Sequence, residues 1–187
     1  MKKLPLIFLG ALIAVQFAVP LSMIRSRENI LHNGELFRFK TQPIDPADPF
    51  QGRYVRLGID GEIKNQVDQS APLTSRPIVY ATIESDAEGF ARFSGWSLKK
   101  PESKNYLKTR IGYVLDDGIQ IKIPFDRYYM DEVKAPRAER LVWEATRGTH
   151  CWAEVRVLNG KAAIEEVFVE GQSLQNLAEK SSLKEIF

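Results

Sequence analysis

Apolar residues fill positions 4–24 almost without interruption, with Gln16 and Ser22 the exceptions. A helix of that length, rising roughly 1.5 Å per residue, reaches about 31 Å, close to the roughly 30 Å hydrocarbon core of a bilayer. Almost no polar face remains for a helix that has to share its surface with water, so a soluble core helix does not fit the pattern. A secretory leader would need a shorter apolar core and small residues before its cleavage point. Cleavage after Ala18 puts Gln16 at the minus-three position, and cleavage after Ser22 puts Pro20 there. The pattern therefore predicts an uncleaved transmembrane anchor. Lys2 and Lys3 precede it, while Arg25 and Arg27 follow, partly offset by Glu28. The short lysine-bearing tail favours an N-in orientation, with the rest of the chain outside the cytoplasm.

Beyond the anchor the periodicity changes. Residues 25–34 continue as a juxtamembrane helix that Asn33-Gly34 can stop. From Glu35 onward the period is two, the signature of half-buried strands. Residues 35–41 form one such run. Residues 54–59 form another, with Val55, Leu57 and Ile59 on one face and Tyr54, Arg56 and Gly58 on the other. Asp60-Gly61 reads as a tight turn, and residues 62–77 as a polar excursion. Hairpins follow at 78–85/90–98 and 106–115/119–126, after which residues 128–132 leave the sheet. Residues 135–147 have apolar helical spacing, with Pro136 suited to the first position. Residues 151–158 and 161–170 flank Asn159-Gly160, the pair favoured in a type I′ hairpin turn. Residues 174–187 are a weakly amphipathic tail.

Short local connections favour antiparallel pairing. The expected fold is mainly β (β-rich α+β): an antiparallel sandwich or partly open barrel with one covering helix, preceded by an N-terminal transmembrane helix. The organisation read from the sequence is an anchor at 4–24, a juxtamembrane helix or linker at 25–34, a β-rich extracytoplasmic domain at 35–173 and a C-terminal tail at 174–187.

Charge narrows the function classes. The net charge of +2 arises from 26 basic and 24 acidic residues. Lys2 and Lys3 supply the excess, which leaves the domain neutral and without the footprint of a nucleic-acid binder. The one cysteine, Cys151, has no internal partner for a disulfide.

Candidate chemistry is sparse. Asp45 and Asp48 lie in a proline-punctuated stretch with Pro43, Pro46 and Pro49. They could share a cation or act as an acid–base pair. Two carboxylates fall short of the six to eight oxygens that calcium takes, and each can cap a turn before proline instead. Tyr54, Arg56 and Arg53 can present an aromatic and guanidinium surface to an anionic ligand, or simply form an exposed strand face. Glu132, with Tyr128, Tyr129 and Glu139 nearby, can line a pocket or serve as helix-terminus electrostatics. His32 and His150 show no zinc-ligand spacing, and Cys151 fits a small buried hydrophobe. Ser22-Met23 resembles the serine–methionine of membrane-bound signal peptidases. Ile24-Arg25 stands where those have proline–threonine, and no lysine occupies a matching strand context. No catalytic residue, metal site or cofactor is assigned.

Gly52, Tyr54 and Leu57, after the Asp45-Pro46-Ala47-Asp48-Pro49 lead-in, resemble the signature of the GDYXXLXY family of membrane-anchored bacterial proteins. Arg53 stands in place of the signature aspartate and Ile59 in place of its last tyrosine. The resemblance extends more loosely to the anchor, to residues 124–132 and to the Asn159-Gly160 hairpin. It implies an N-terminal anchor and a setting beside multi-pass membrane proteins, but no activity. Arg53 reverses the aspartate's charge, which favours a structural over a catalytic role for that position.

The resulting expectation is a non-enzymatic β-domain, held to the lipid bilayer by its N-terminal helix, that binds another envelope membrane protein. The surface or its scaffold would comprise Asp45, Asp48, Gly52, Arg53, Tyr54, Arg56 and Leu57. The rivals are an envelope hydrolase using Asp45, Asp48 or Glu132, and a β-barrel with a deep apolar ligand cavity.

Overall fold

A computed structural model of the chain describes residues 4–42, 54–64, 76–131, 134, 135, 138, 140–142 and 151–184. Helix α1 (Leu4–Asn33) is thirty residues long and contains Pro20. It is long and apolar enough to cross a membrane. It runs through the juxtamembrane residues without a break and ends where Gly34 N–H donates to Ile30 O at 2.8 Å. A Cβ at Gly34 would lie 2.4 Å from Ile30 O and 3.0 Å from Arg156 Cβ, so only glycine lets the chain turn this closely from helix into strand.

Twelve strands follow among the described residues: β1 (Glu35–Gln42), β2 (Tyr54–Arg56), β3 (Gly58–Ile59), β4 (Glu62–Lys64), β5 (Ile78–Ser85), β6 (Ala91–Ser97), β7 (Tyr106–Val114), β8 (Gly118–Ile121), β9 (Arg127–Tyr129), β10 (Cys151–Leu158), β11 (Lys161–Val169) and β12 (Gln172–Ser173). Helix α2 (Leu174–Lys184) closes the described chain. One five-stranded sheet has the order β12-β11-β10-β1-β3, and the other β4-β8-β7-β5-β6; β2 and β9 form a separate ribbon. Every ladder is antiparallel. Isolated bridges from Arg38 to Phe90 and from Leu107 to Gly160 join the two larger sheets, giving a partly open barrel.

The period-two pattern explains the core. Phe37 and Phe39 of β1, Val155 and Val157 of β10, and Val79, Ala81 and Ile83 of β5 all point inward into one apolar cluster. Phe39 stands between Phe93 and Phe125, with ring centroids 5.5 Å from each. Ala138 and Val142, in a stretch with helical backbone at Ala135, Ala138 and 140–142, join the same core. So do Leu174 and Ala178 of α2, both fully buried, so the C-terminal segment contributes a packed helical face.

Four local departures from the sequence reading have physical causes. The alternating run 54–59 is divided at Leu57, whose N–H donates to Asp126 O at 2.8 Å; β2 then pairs with β9 and β3 with β1. Asp60-Gly61 joins strands of different sheets and makes no hairpin. Asp60 Oδ1 accepts the Glu62 N–H at 2.9 Å instead, an Asx-type turn. Residues 62–64 of the expected polar excursion are strand β4, built on a single buried Ile63 and on pairing with β8. Residues 128 and 129, expected to leave the sheet, lie in β9.

Candidate functional site

Among the described residues, the β2–β9 ribbon gathers a cluster of polar and aromatic side chains on one face. Its register pairs Tyr54 with Tyr129, Val55 with Tyr128 and Arg56 with Arg127. Alternation across a pleat sends the middle pair one way and the outer pairs the other. Val55 and Tyr128 are buried, while Arg56, Arg127 and Tyr129 are exposed and Tyr54 is half-buried. One small face therefore carries two phenols and two guanidiniums.

Their contacts are specific. The Tyr54 and Tyr129 rings lie 5.8 Å apart at 58°, a favourable tilted arrangement. Arg127 Cζ lies 4.9 Å from the Tyr54 ring centroid, within cation–π range. A hydrogen bond to Tyr129, with Tyr54 and Asp126 adding to it, raises the Arg127 pKa above its ordinary value. Like charges directly opposed across a strand pair repel. Asp126 offsets this for Arg56 and Arg127: its oxygens lie 3.8 Å from Arg56 Nε and 3.9 Å from Arg127 Nε. Both separations exceed a hydrogen bond, so they act as screened surface attractions.

The inner face of the ribbon is locked. Tyr128 donates to Glu166 Oε1 at 2.7 Å, and Gln175 Nε2 donates to the Tyr128 oxygen at 2.8 Å. Glu166 Oε1 also accepts the Val167 N–H at 3.0 Å. Burial, then the bond to Glu166, push the Tyr128 pKa well above the usual tyrosine range. The ribbon is thereby tied to both β11 and α2.

Of the residues singled out in the sequence, Tyr54 and Arg56 share the exposed face. Leu57 is 1% exposed and belongs to the core. Asp45, Asp48, Gly52, Arg53, Glu132, Glu139 and His150 lie outside the described residues. His32 is exposed on α1, with Nε2 3.4 Å from Glu28 Oε2. Ser22 Oγ donates to Val19 O at 2.7 Å, within its own helix. Cys151 is buried, and burial raises its thiol pKa. Asp126 and Arg127 complete the face and were missed, and Tyr129, read from the sequence as a companion of Glu132, pairs with Tyr54 instead; a strand of three residues is too short to register as a period. The one available signal was Arg127 and Tyr129 alternating around an apolar-facing Tyr128.

Among the described residues, no group of three His, Cys, Asp or Glu side chains could hold a metal ion. A separate open groove is lined by Asp60, Glu62, Lys64, Thr82, Glu84 and Arg92. The Phe39, Phe93 and Phe125 rings pack together within the core.

The sequence profile of the GDYXXLXY family, described as GDYXXLXY protein, matches residues 16–167. No curated protein and no solved structure matches the chain. The matched span takes in most of α1 and strands from both sheets, together with the ribbon that carries Tyr54. The chain belongs to the GDYXXLXY family.

Proposed function

We propose that this protein is a non-enzymatic, membrane-anchored binding protein that engages another envelope membrane protein through the outer face of the β2–β9 ribbon. In this reading α1 is an uncleaved N-in signal anchor, and residues 35–173 form an extracytoplasmic, periplasmic domain. The observation that supports it is the exposed face of Tyr54, Arg56, Arg127 and Tyr129. Paired guanidiniums flanked by aromatic rings suit recognition of carboxylates, because the planar fork can take two oxygens at once. An acidic loop of a multi-pass neighbour is the partner chemistry this favours. The predicted Asp45, Asp48, Gly52 and Arg53 would extend or support that contact from the preceding stretch of sequence.

The test is cross-linking in membranes followed by capture of the full chain, comparing the native protein with Tyr54→Ala/Arg56→Ala and Arg127→Ala/Tyr129→Ala. Both variants should lose the same membrane partner while remaining folded; an identical partner set in all three samples removes the ribbon from consideration. An alkaline-phosphatase fusion after Phe187 reports sidedness, and an inactive but stably expressed fusion contradicts the extracytoplasmic placement. The envelope-hydrolase reading turns on Asp45, Asp48 and Glu132, which lie outside the described residues.

A further inference from the structure

Helix α1 enters the domain without a linker, and the β10–β11 hairpin runs back alongside it. Ile30 is 7% exposed at this junction. Arg156 Nη1 donates to Gly34 O at 3.2 Å, and Lys161 Nζ donates to Ser26 Oγ at 3.2 Å. Ser26 comes two residues after Ile24, the last residue of the apolar run. On a helix that is only about 3 Å, whereas the polar head-group layer adds roughly 5–7 Å to each side of the hydrocarbon core. The Lys161 ammonium is thus held at head-group depth if α1 crosses the bilayer.

Other cations lie at the hairpin tip and on the same turn of α1. The Lys108 N–H donates to Gly160 O at 2.8 Å, which sets Lys108 beside the hairpin tip. A Cβ at Gly160 would meet the Tyr106 ring at 2.6 Å, and Lys100 Nζ lies 5.9 Å from the centroid of that same ring. Arg25 and Arg27 flank Ser26 on α1. Of the acids near the junction, Glu165 is paired with Arg156 at 2.6 Å, Glu28 lies 3.4 Å from His32 Nε2, and Glu35 Oε1 accepts from Asn105 Nδ2 at 3.1 Å.

We propose that the Asn159-Gly160 tip, with Lys100, Lys108, Lys161, Arg25 and Arg27, is a cationic foot that binds anionic phospholipid head groups of the bilayer crossed by α1. This rests on the reading of α1 as a membrane anchor. The foot holds the domain at a fixed tilt against the membrane surface, because the hairpin and the helix bear on each other at residues 26, 30 and 34. Each basic side chain close to an anionic surface is worth about fivefold in lipid preference.

The experiment uses the full chain reconstituted in vesicles of phosphatidylcholine with or without phosphatidylglycerol. Spin-labelled lipids of both kinds report which one the protein retains at its boundary. The native chain should prefer phosphatidylglycerol by well over the roughly fivefold that one basic side chain supplies. Lys108→Gln/Lys161→Gln should lose about fivefold or more of that preference, high salt should weaken it, and Lys64→Gln should leave it unchanged. A chain that floats with both vesicle types yet shows no preference, or a preference untouched by the double variant, overturns the foot and leaves the anchor standing. A chain that fails to float with either overturns the anchor reading and the foot with it.

Discussion

Tyr128 donates its hydroxyl hydrogen to Glu166 Oε1 at 2.7 Å, across 38 residues of sequence, and so fastens the β2–β9 ribbon to the sheet that follows it. The same carboxylate oxygen accepts the Val167 N–H at 3.0 Å, and Gln175 of α2 bonds to the same hydroxyl. A ribbon of two three-residue strands has little stability alone, so its outer face owes its shape to this inner bond.

Removing that hydroxyl tests the attachment. Tyr128→Phe should destabilise the full chain in detergent by about 1.5–3 kcal/mol, the range for hydrogen bonds to charged groups. The folded-state pKa of Tyr128 is raised, chiefly by burial. Its contribution is therefore complete below the unfolded value of about 10 and is lost as pH rises above it, because the unfolded phenol ionises first. The stability gap between native chain and variant should narrow above about pH 10 and stay constant at neutral pH. A gap already closing near neutrality would contradict the assignment.

Two glycines with nearly equal backbone angles separate strain from packing. Gly160 (φ +78) and Gly171 (φ +80) both adopt the left-handed region. A Cβ at Gly171 meets nothing within 4 Å, whereas one at Gly160 meets Tyr106 Cε2 at 2.6 Å and Lys108 Cβ at 3.0 Å. Gly171→Ala should cost about 1–2 kcal/mol from backbone strain alone. Gly160→Ala should cost at least about 1 kcal/mol more, the lower end of overpacking penalties. Equal losses in thermal unfolding would mean that the tip does not bear on Tyr106.

The exposed face should separate function from stability. Arg56→Ala removes a side chain that is 52% exposed and 3.8 Å from Asp126. Its effect on unfolding should stay within about 0.5 kcal/mol, as for surface substitutions generally. Partner capture should fall sharply nonetheless. A large loss of stability with capture retained would reassign Arg56 to the fold.

Cys151 offers a probe of opening. The residue is 3% exposed, and burial raises its thiol pKa. At neutral pH it should react with maleimide far more slowly in the folded chain than after denaturation, at a rate that follows local or global unfolding. Full labelling of the native chain within minutes would show the start of β10 to be open.

Much of the architecture was legible in the residue pattern. Asn159 (φ 52) and Gly160 (φ +78) form the turn that their identities foretell, and the alternation at 35–41 and 151–158 places Phe37, Phe39, Val155 and Val157 in the core. The tyrosine and the leucine of the family signature also separate by parity, Tyr54 outward and Leu57 inward, as a period of two requires.

The sequence by itself determined the apolar helix and the strand character of the domain, because these depend on local propensity and short-range periodicity. Only the tertiary structure decided that the run 54–59 divides between two sheets, that Ile63 anchors a strand, and that Tyr54 and Arg56 acquire Tyr129 and Arg127 as neighbours. Those outcomes depend on hydrogen bonds between residues far apart in sequence, such as Leu57 to Asp126 and Tyr128 to Glu166. No local pattern encodes which distant strand will supply the partner. The same holds for the junction at Gly34, where a glycine that reads as a helix stop also lets α1 and β10 approach closely enough to share Arg156.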